Sequence, residues 1–222
     1  MISEFGIAND LYKMFHVIFG GIKGGLAIGT MFMMVAISAM NGLSVAGMAI
    51  GATIALPEML KRNYDKRMIT GVVQAGSSLG ILIPPSVVMV LYGMIARQPV
   101  SKLWMAGILP GLLMASLFLI YIYVRCKLQP ELGPPLKKEE REVTTIEKIR
   151  LLKAGIIPFL IFFFMTGLFL MGIASLVECS AVGAFLATLA AIYKRRFNKQ
   201  VLENTLKKTL GVSCMFMWII LA

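Results

Sequence analysis

The string Gly76-Ser77-Ser78-Leu79-Gly80-Ile81-Leu82-Ile83-Pro84-Pro85-Ser86 concentrates residue types that can hold an ion or a small anion. Two adjacent prolines remove backbone donors and push the residues before them away from helix. A helix entering from Met68 is therefore expected to end near Ala75-Gly76 and to restart at Ser86, with Pro85 preceding or opening the new half. The first half would present carbonyls without intrahelical partners, the second free N–H groups. A sodium ion takes hard oxygens, which such carbonyls and the hydroxyls of Ser77 and Ser78 can supply. A carboxylate suits the N–H end behind Ser86. Cation and anion could then meet at one break, each lowering the cost of burying the other.

A second interruption lies upstream. Asn41-Gly42-Leu43-Ser44 splits an apolar stretch into Gly24–Met40 and Val45–Leu56, closed by Pro57 and Glu58. Carbonyls around Met40–Gly42 and the Ser44 hydroxyl add further candidate cation contacts. The second arm, counted to Leu56, would reach only about 18 Å as a helix, short of a hydrocarbon core of about 30 Å. Basic residues flank both ends, at Lys23 and at Lys61-Arg62, which places both ends on one side of a membrane. The pattern predicts a re-entrant helical hairpin over 24–60 whose tip reaches mid-membrane. Unwound backbone at that depth is tolerated only where it lines a cavity or is buried in protein. A broken helix beside a hairpin is one way secondary transporters build a midplane site.

Composition sets the class around these segments. Apolar residues make up 58% and charged residues 15% of the 222, against about 25% charged in soluble domains. The expectation is an all-α, polytopic membrane protein. The net charge of +11 comes in clusters between apolar runs, a topology signal and not a nucleic-acid surface. Leu103–Val124, Ile156–Ile173 and Ala181–Tyr193 read as ordinary spans, with Trp104 as an interfacial anchor. Of the 22 Lys+Arg only Arg97 and Lys102 then lie outside, leaving 22 − 2 = 20 on the inner side. The organisation that follows has an amphipathic interfacial segment over 1–23, the hairpin over 24–60 and a broken helix over 61–97. A transmembrane helix covers 98–128, a proline- and charge-rich cytoplasmic connector 129–153, and two transmembrane helices 154–199. The last stretch, 200–222, reads as the start of a second half cut short.

Other chemistries find little support. Cys126, Cys179 and Cys214 are widely spaced and His16 is the single histidine, which argues against a disulfide framework or a zinc site. His16 reads as an interfacial side chain. No GxxxxGK[ST] loop is present for an ATP-driven pump, and no catalytic dyad is placed at membrane depth, so an enzyme is not expected. Glu178, the only acid outside the loops, is either an ion-handling group or a helix-capping carboxylate. Pro110-Gly111 reads as a close-packing element and the 17 methionines as packing filler.

The string Gly76–Ser86 closely resembles the signature of the large membrane subunit (DctM-like) of tripartite ATP-independent periplasmic (TRAP) transporters. The stretches 55–67, Ala106-Gly107-Ile108-Leu109-Pro110-Gly111-Leu112 and Glu178-Cys179-Ser180-Ala181-Val182-Gly183-Ala184 resemble the same family. The Arg125-Cys126 exit and Cys214-Met215-Phe216-Met217-Trp218 look most like its branch labelled mannitol or chloroaromatic type. The resemblance implies sodium-coupled uptake of an organic acid across a bacterial inner membrane by an elevator-like motion of the hairpin domain. It implies a periplasmic substrate-binding protein and a small four-helix membrane subunit as partners, and no cofactor beyond the coupling ion. By position it puts Asn41, Gly42 and Ser44 at the hairpin tip, Gly76, Ser77, Ser78 and Gly80 in a sodium-binding break, and Pro84, Pro85 and Ser86 near the substrate. In such subunits a second hairpin and a second broken helix follow, so this chain resembles about half of the fold. Another ion-coupled carrier or antiporter with broken helices, working without a binding protein, is the other reading these features allow.

Overall fold

Apolar arms punctuated by Gly, Pro and charged pairs fold here as helices, and no strand occurs among the described residues. A computed structural model describes residues 7–135, 160–193 and 198–221. Helices α1 (Ile7–Phe19), α2 (Gly25–Asn41), α3 (Ser44–Lys61) and α4 (Lys66–Ser78) come first. A 3-10 turn (Leu79–Ile81), α5 (Val87–Ile95), α6 (Val100–Leu128) and a 3-10 turn (Pro130–Leu132) follow. The later helices are α7 (Leu160–Leu170), α8 (Leu176–Tyr193) and α9 (Lys199–Leu221). By length and composition α6 alone among the described helices is enough to cross a membrane; α2, α7 and α8 offer shorter apolar stretches.

Helix α2 is the centre of the core because it is apolar on all sides. Met31, Met33, Met34 and Ile37 are buried between α1, α3 and α4, where unbranched methionine fills uneven gaps between helices. Helix α1, in the segment expected to be interfacial, packs one face on this core: Leu11, Tyr12, Met14 and Phe15 are buried, while Ile18 is exposed. Phe15 and Phe19 stack on Phe32 at 5.8 and 5.1 Å, contacts that sequence periodicity alone could not assign. Residues 1–6 of that segment lie outside the described residues, as does 136–159, which includes most of the connector and the start of the expected span at Ile156.

The hairpin turns at Gly42, whose φ of 65° is a left-handed conformation that glycine adopts without steric cost. Its N–H donates to Ser38 O at 2.8 Å, closing α2. Helix α3 does not stop at Leu56 but runs through Pro57 to Lys61. Proline removes one backbone bond, yet the fully buried Met59 anchors the last turn to the core. Asp65 starts α4, accepting from the N–H groups of Arg67 (2.9 Å) and Met68 (3.1 Å). That helix ends at Ser78, two to three residues later than the expected Ala75-Gly76. Ser77 and Ser78 turn their hydroxyls back onto Gln74 O and Ala75 O, which satisfies them within the helix, and the chain tightens into the 3-10 turn at Leu79–Ile81 ahead of the prolines.

The far end of α6 is tied to the base of the hairpin. Gly24 N–H donates to Gly133 O at 2.9 Å and Asp65 N–H to Leu132 O at 3.3 Å. Buried Cys126 fills the space where a Cβ on Gly24 or Gly133 would come within 2.8 Å of its sulfur. Tyr64 is buried beside this clamp, and burial raises its phenol pKa above the ordinary range.

Glycines in α4 and the break separate packing from propensity. A Cβ on Gly80 would meet Ser38 Cβ at 2.5 Å and Ser38 O at 2.8 Å, whereas one on Gly71 meets nothing within 4 Å. Gly80→Ala is expected to lower stability by about 1–3 kcal/mol through overpacking, and Gly71→Ala to raise it by up to about 1 kcal/mol through helix propensity. Thermal unfolding in detergent checks both signs.

Candidate functional site

The hairpin tip and the broken helix meet through backbone. Val87 N–H, the first donor of α5, gives its hydrogen bond to Gly42 O at 3.1 Å. The approach is close: a Cβ on Gly42 would lie 2.7 Å from Pro85 O. Behind the tip, Ser38 is wedged between glycines. A Cβ on Gly47 would come 2.2 Å from Ser38 Oγ, and one on Gly80 would strike Ser38 Cβ. Ser38 is fully buried, and its hydroxyl finds no hydrogen-bond partner among the described residues. A buried hydroxyl left in that state costs about 1–3 kcal/mol. A cation seated beside it would repay that cost.

The second half of the break is held from the opposite side. Ser86 caps α5 by accepting from Met89 N–H at 3.3 Å, and its carbonyl accepts from Trp104 Nε1 at 3.3 Å. Trp104, expected as an interfacial anchor, is buried and meets Phe169 edge to face at 4.7 Å. It works as a strut between α6, α7 and the break. Gly107 and Gly111 let α6 approach Leu82 and Ile83 closely, the packing role read for Pro110-Gly111. A cavity of about 200 Å³ opens here, lined by Ser86, Val87, Trp104, Thr166, Cys179 and Ser180 among others. Thr166 Oγ1 is buried with no partner among the described residues.

The candidate residues therefore sort by position. Gly42, Gly80, Pro85 and Ser86 converge with Ser38 at the tip-to-break contact. Pro84 is buried within the break, and the Pro84–Pro85 peptide is cis. Asn41 ends α2 and half-buried Ser44 opens α3. Gly76 lies in α4, packed on Met34, with Ser77 buried and Ser78 exposed. The carboxylate end drawn from sequence is already engaged: two of the first three N–H groups of α5, those of Val87 and Met89, have partners inside the chain. Ser38 escaped the sequence reading. Its one signal is a hydroxyl one turn before Gly42 in an otherwise apolar arm.

Glu178 resolves as a cap. Its carboxylate accepts from Ser175 N–H at 2.7 Å and from Ser175 Oγ at 2.8 Å, while Glu178 N–H donates to Ser175 Oγ at 3.3 Å. Ser175-Leu176-Val177-Glu178 is thus a capping box at the start of α8. No group of three His, Cys, Asp or Glu side chains able to hold a metal occurs among the described residues. Any cation at the tip-to-break contact would rest on carbonyl and hydroxyl oxygens.

The whole chain, residues 1–222, matches the family model described as "Tripartite ATP-independent periplasmic transporter, DctM component". Three relatives illustrate the range. The "C4-dicarboxylate TRAP transporter large permease protein DctM" of Pseudomonas aeruginosa is 37% identical over 119 residues, 54% of this chain and 28% of that protein. The "Ectoine TRAP transporter large permease protein TeaC" of Halomonas elongata is 34% identical over 117 residues, 53% of this chain and 27% of that protein. The "2,3-diketo-L-gulonate TRAP transporter large permease protein YiaN" of Escherichia coli K12 is 27% identical over 188 residues, 84% of this chain and 42% of that protein. Each alignment thus covers less than half of the relative's length.

Trp104→Phe keeps a ring against Phe169 but strips Ser86 O of its donor. Its expected cost is about 1 kcal/mol, read as a lower melting temperature. Glu178→Gln and Ser175→Ala are expected to lower the melting temperature alike and not to add when combined, as one reciprocal cap requires.

Proposed function

The chain belongs to the DctM component family of tripartite ATP-independent periplasmic transporters, and on that premise we propose that it forms one ion- and substrate-binding half of a sodium-driven organic-acid carrier. The observation that carries this reading is the tip-to-break contact, with the buried, unpartnered Ser38 hydroxyl at its centre. In this reading sodium draws on Ser38 Oγ and on oxygens contributed around Asn41, Gly42, Ser44, Gly76, Ser77, Ser78 and Gly80. Pro84, Pro85 and Ser86 frame the substrate. The carboxylate would take the N–H that Val87 gives to Gly42 O in this structure, so substrate entry requires the tip to lift. Sodium at Ser38 would offset the charge of the arriving anion. The relatives' names span a C4-dicarboxylate, ectoine and 2,3-diketo-L-gulonate, so the acid itself is fixed by more than this contact.

The α2–α3 pair enters the membrane as a re-entrant hairpin in this reading, and it moves with α4 and α5 in an elevator-like displacement. The protein sits in a bacterial inner membrane. It works with a small membrane subunit and takes its substrate from a periplasmic binding protein. Exposed apolar side chains on α6 and α7, among them Leu109, Leu113 and Phe163, suit contact with lipid or with that subunit.

Reconstitution of the complete transporter in liposomes, with its binding protein outside, tests this. Uptake of labelled organic acids is expected to need an inward sodium gradient and the binding protein. Ser38→Ala/Ser77→Ala should raise the sodium concentration for half-maximal uptake about tenfold, the loss of roughly 1.4 kcal/mol of ion binding. Sodium, compared with potassium, should raise the melting temperature of the unaltered protein and not that of the variant. Uptake indifferent to sodium, or unchanged in the variant, removes the ion site from this contact. Uptake without the binding protein favours a stand-alone carrier.

A further inference from the structure

A groove of about 770 Å³ lies away from that contact, between α4 and α6. Its two walls run antiparallel and grade in the same direction. On α4 the lining goes from Arg67 through Met68, Gly71 and Val72 to Ala75; on α6 it goes from Arg125 through Ile122 and Tyr121 to Phe118 and Leu117. Both walls thus put a guanidinium at one end and apolar side chains beyond it. Met31 of α2 lies among the lining residues. Gly71 leaves the α4 wall open, with nothing within 4 Å of where its Cβ would be.

We propose that this groove binds an anionic phospholipid, its phosphate between Arg67 and Arg125 and its acyl chains along the apolar lane. Charge and polarity together select the occupant. Both arginines are exposed, and neither forms an ion pair among the described residues. The one acid in the lining, Asp65, has its Oδ1 turned onto the N–H groups of Arg67 and Met68 as the cap of α4. The groove mouth therefore carries two cations against one committed carboxylate. It lies at the end of the bundle where Gly24 meets Gly133 and Asp65 meets Leu132. Lys23, Lys66 and Lys127 lie next to the same junctions in the chain, and so do Lys61 and Arg62, which share Glu58 as their ion-pair partner. That basic end is the cytoplasmic one by charge bias, and basic pockets between helices on that side suit anionic headgroups. An amphiphile with one charged end matches a lane that is charged at one end only. An extended peptide segment laid there would bring backbone groups into the apolar part with nothing to bond them.

Native mass spectrometry tests the assignment on the complete protein extracted from membranes and exposed to phosphatidylglycerol or phosphatidylethanolamine. Phosphatidylglycerol is expected to bind at least about tenfold more tightly than the zwitterionic lipid. Arg67→Gln/Arg125→Gln should erase that preference, since each basic residue near an anionic surface contributes appreciably. Gly71→Phe should fill the lane and abolish retention of phosphatidylglycerol while the protein still melts cooperatively in detergent. Equal affinity for the two lipids, or phosphatidylglycerol retained undiminished by either variant, overturns the proposal. So does photocrosslinking from position 71 in native membranes that captures a protein segment and no lipid.

Discussion

The fold depends on satisfying the backbone that Pro84 and Pro85 leave out of any helix. A break deep in an apolar bundle exposes donors and acceptors that cannot turn to water, and each must find a partner inside the protein. Three such bonds hold the downstream side of the break: Gly42 O takes Val87 N–H, Ser86 Oγ takes Met89 N–H, and Trp104 Nε1 gives to Ser86 O. Most of the surrounding sequence follows from these three bonds. Gly42, Gly47 and Gly80 are small so that the tip and α4 can come close enough to make the first. Gly107 and Gly111 are small so that α6 can bring Trp104 close enough to make the third.

How much of this was legible in the sequence differs by the kind of force involved. Local chemistry read well: two arms with a glycine turn, a helix interrupted at paired prolines and a long apolar α6 all follow from residues acting on their own backbone. Boundaries read less well where side chains could compensate. Helix α4 runs past Gly76 with both serine hydroxyls satisfied inside it, and Met59 carries α3 past Pro57. Roles set by contacts distant in the chain could not be read at all. Ser38 looks like an incidental hydroxyl until Gly47 and Gly80 close on it. Trp104 has the composition of an interfacial anchor and the position of a strut. Glu178 had a readable answer in the spacing Ser175 to Glu178, whose capping geometry is local.

The two ends of the hairpin are held very differently. At its base, two backbone bonds, a capped α4, a buried cysteine and a buried tyrosine fix Gly24, Asp65 and Gly133 together. Overpacking or opening that junction disturbs several contacts at once. At its tip, one hydrogen bond and the van der Waals fit of glycines hold Gly42 against the break. Local opening of the α2–α3 tip is therefore cheapest as a lift about a fixed base, separate from any displacement of the pair together with α4 and α5.

That asymmetry bears on how a ligand could couple to motion. The bond between Gly42 and Val87 contributes on the order of 1 kcal/mol net, and exchanging it for a bond to a bound carboxylate costs little in either direction. A minor state with the tip lifted by a few kcal/mol stays populated enough for a ligand to select. In the proposed reading Ser38 makes the exchange conditional. With its hydroxyl unpartnered among the described residues, the closed contact already carries a desolvation cost, and a cation that relieved it would stabilise whichever arrangement keeps the oxygens together. An anion alone would then gain one hydrogen bond and lose its hydration, whereas an anion with a neighbouring cation keeps most of what it gave up. Obligatory coupling of the two solutes would thus need no charged side chain at the site, only backbone dipoles and one buried hydroxyl.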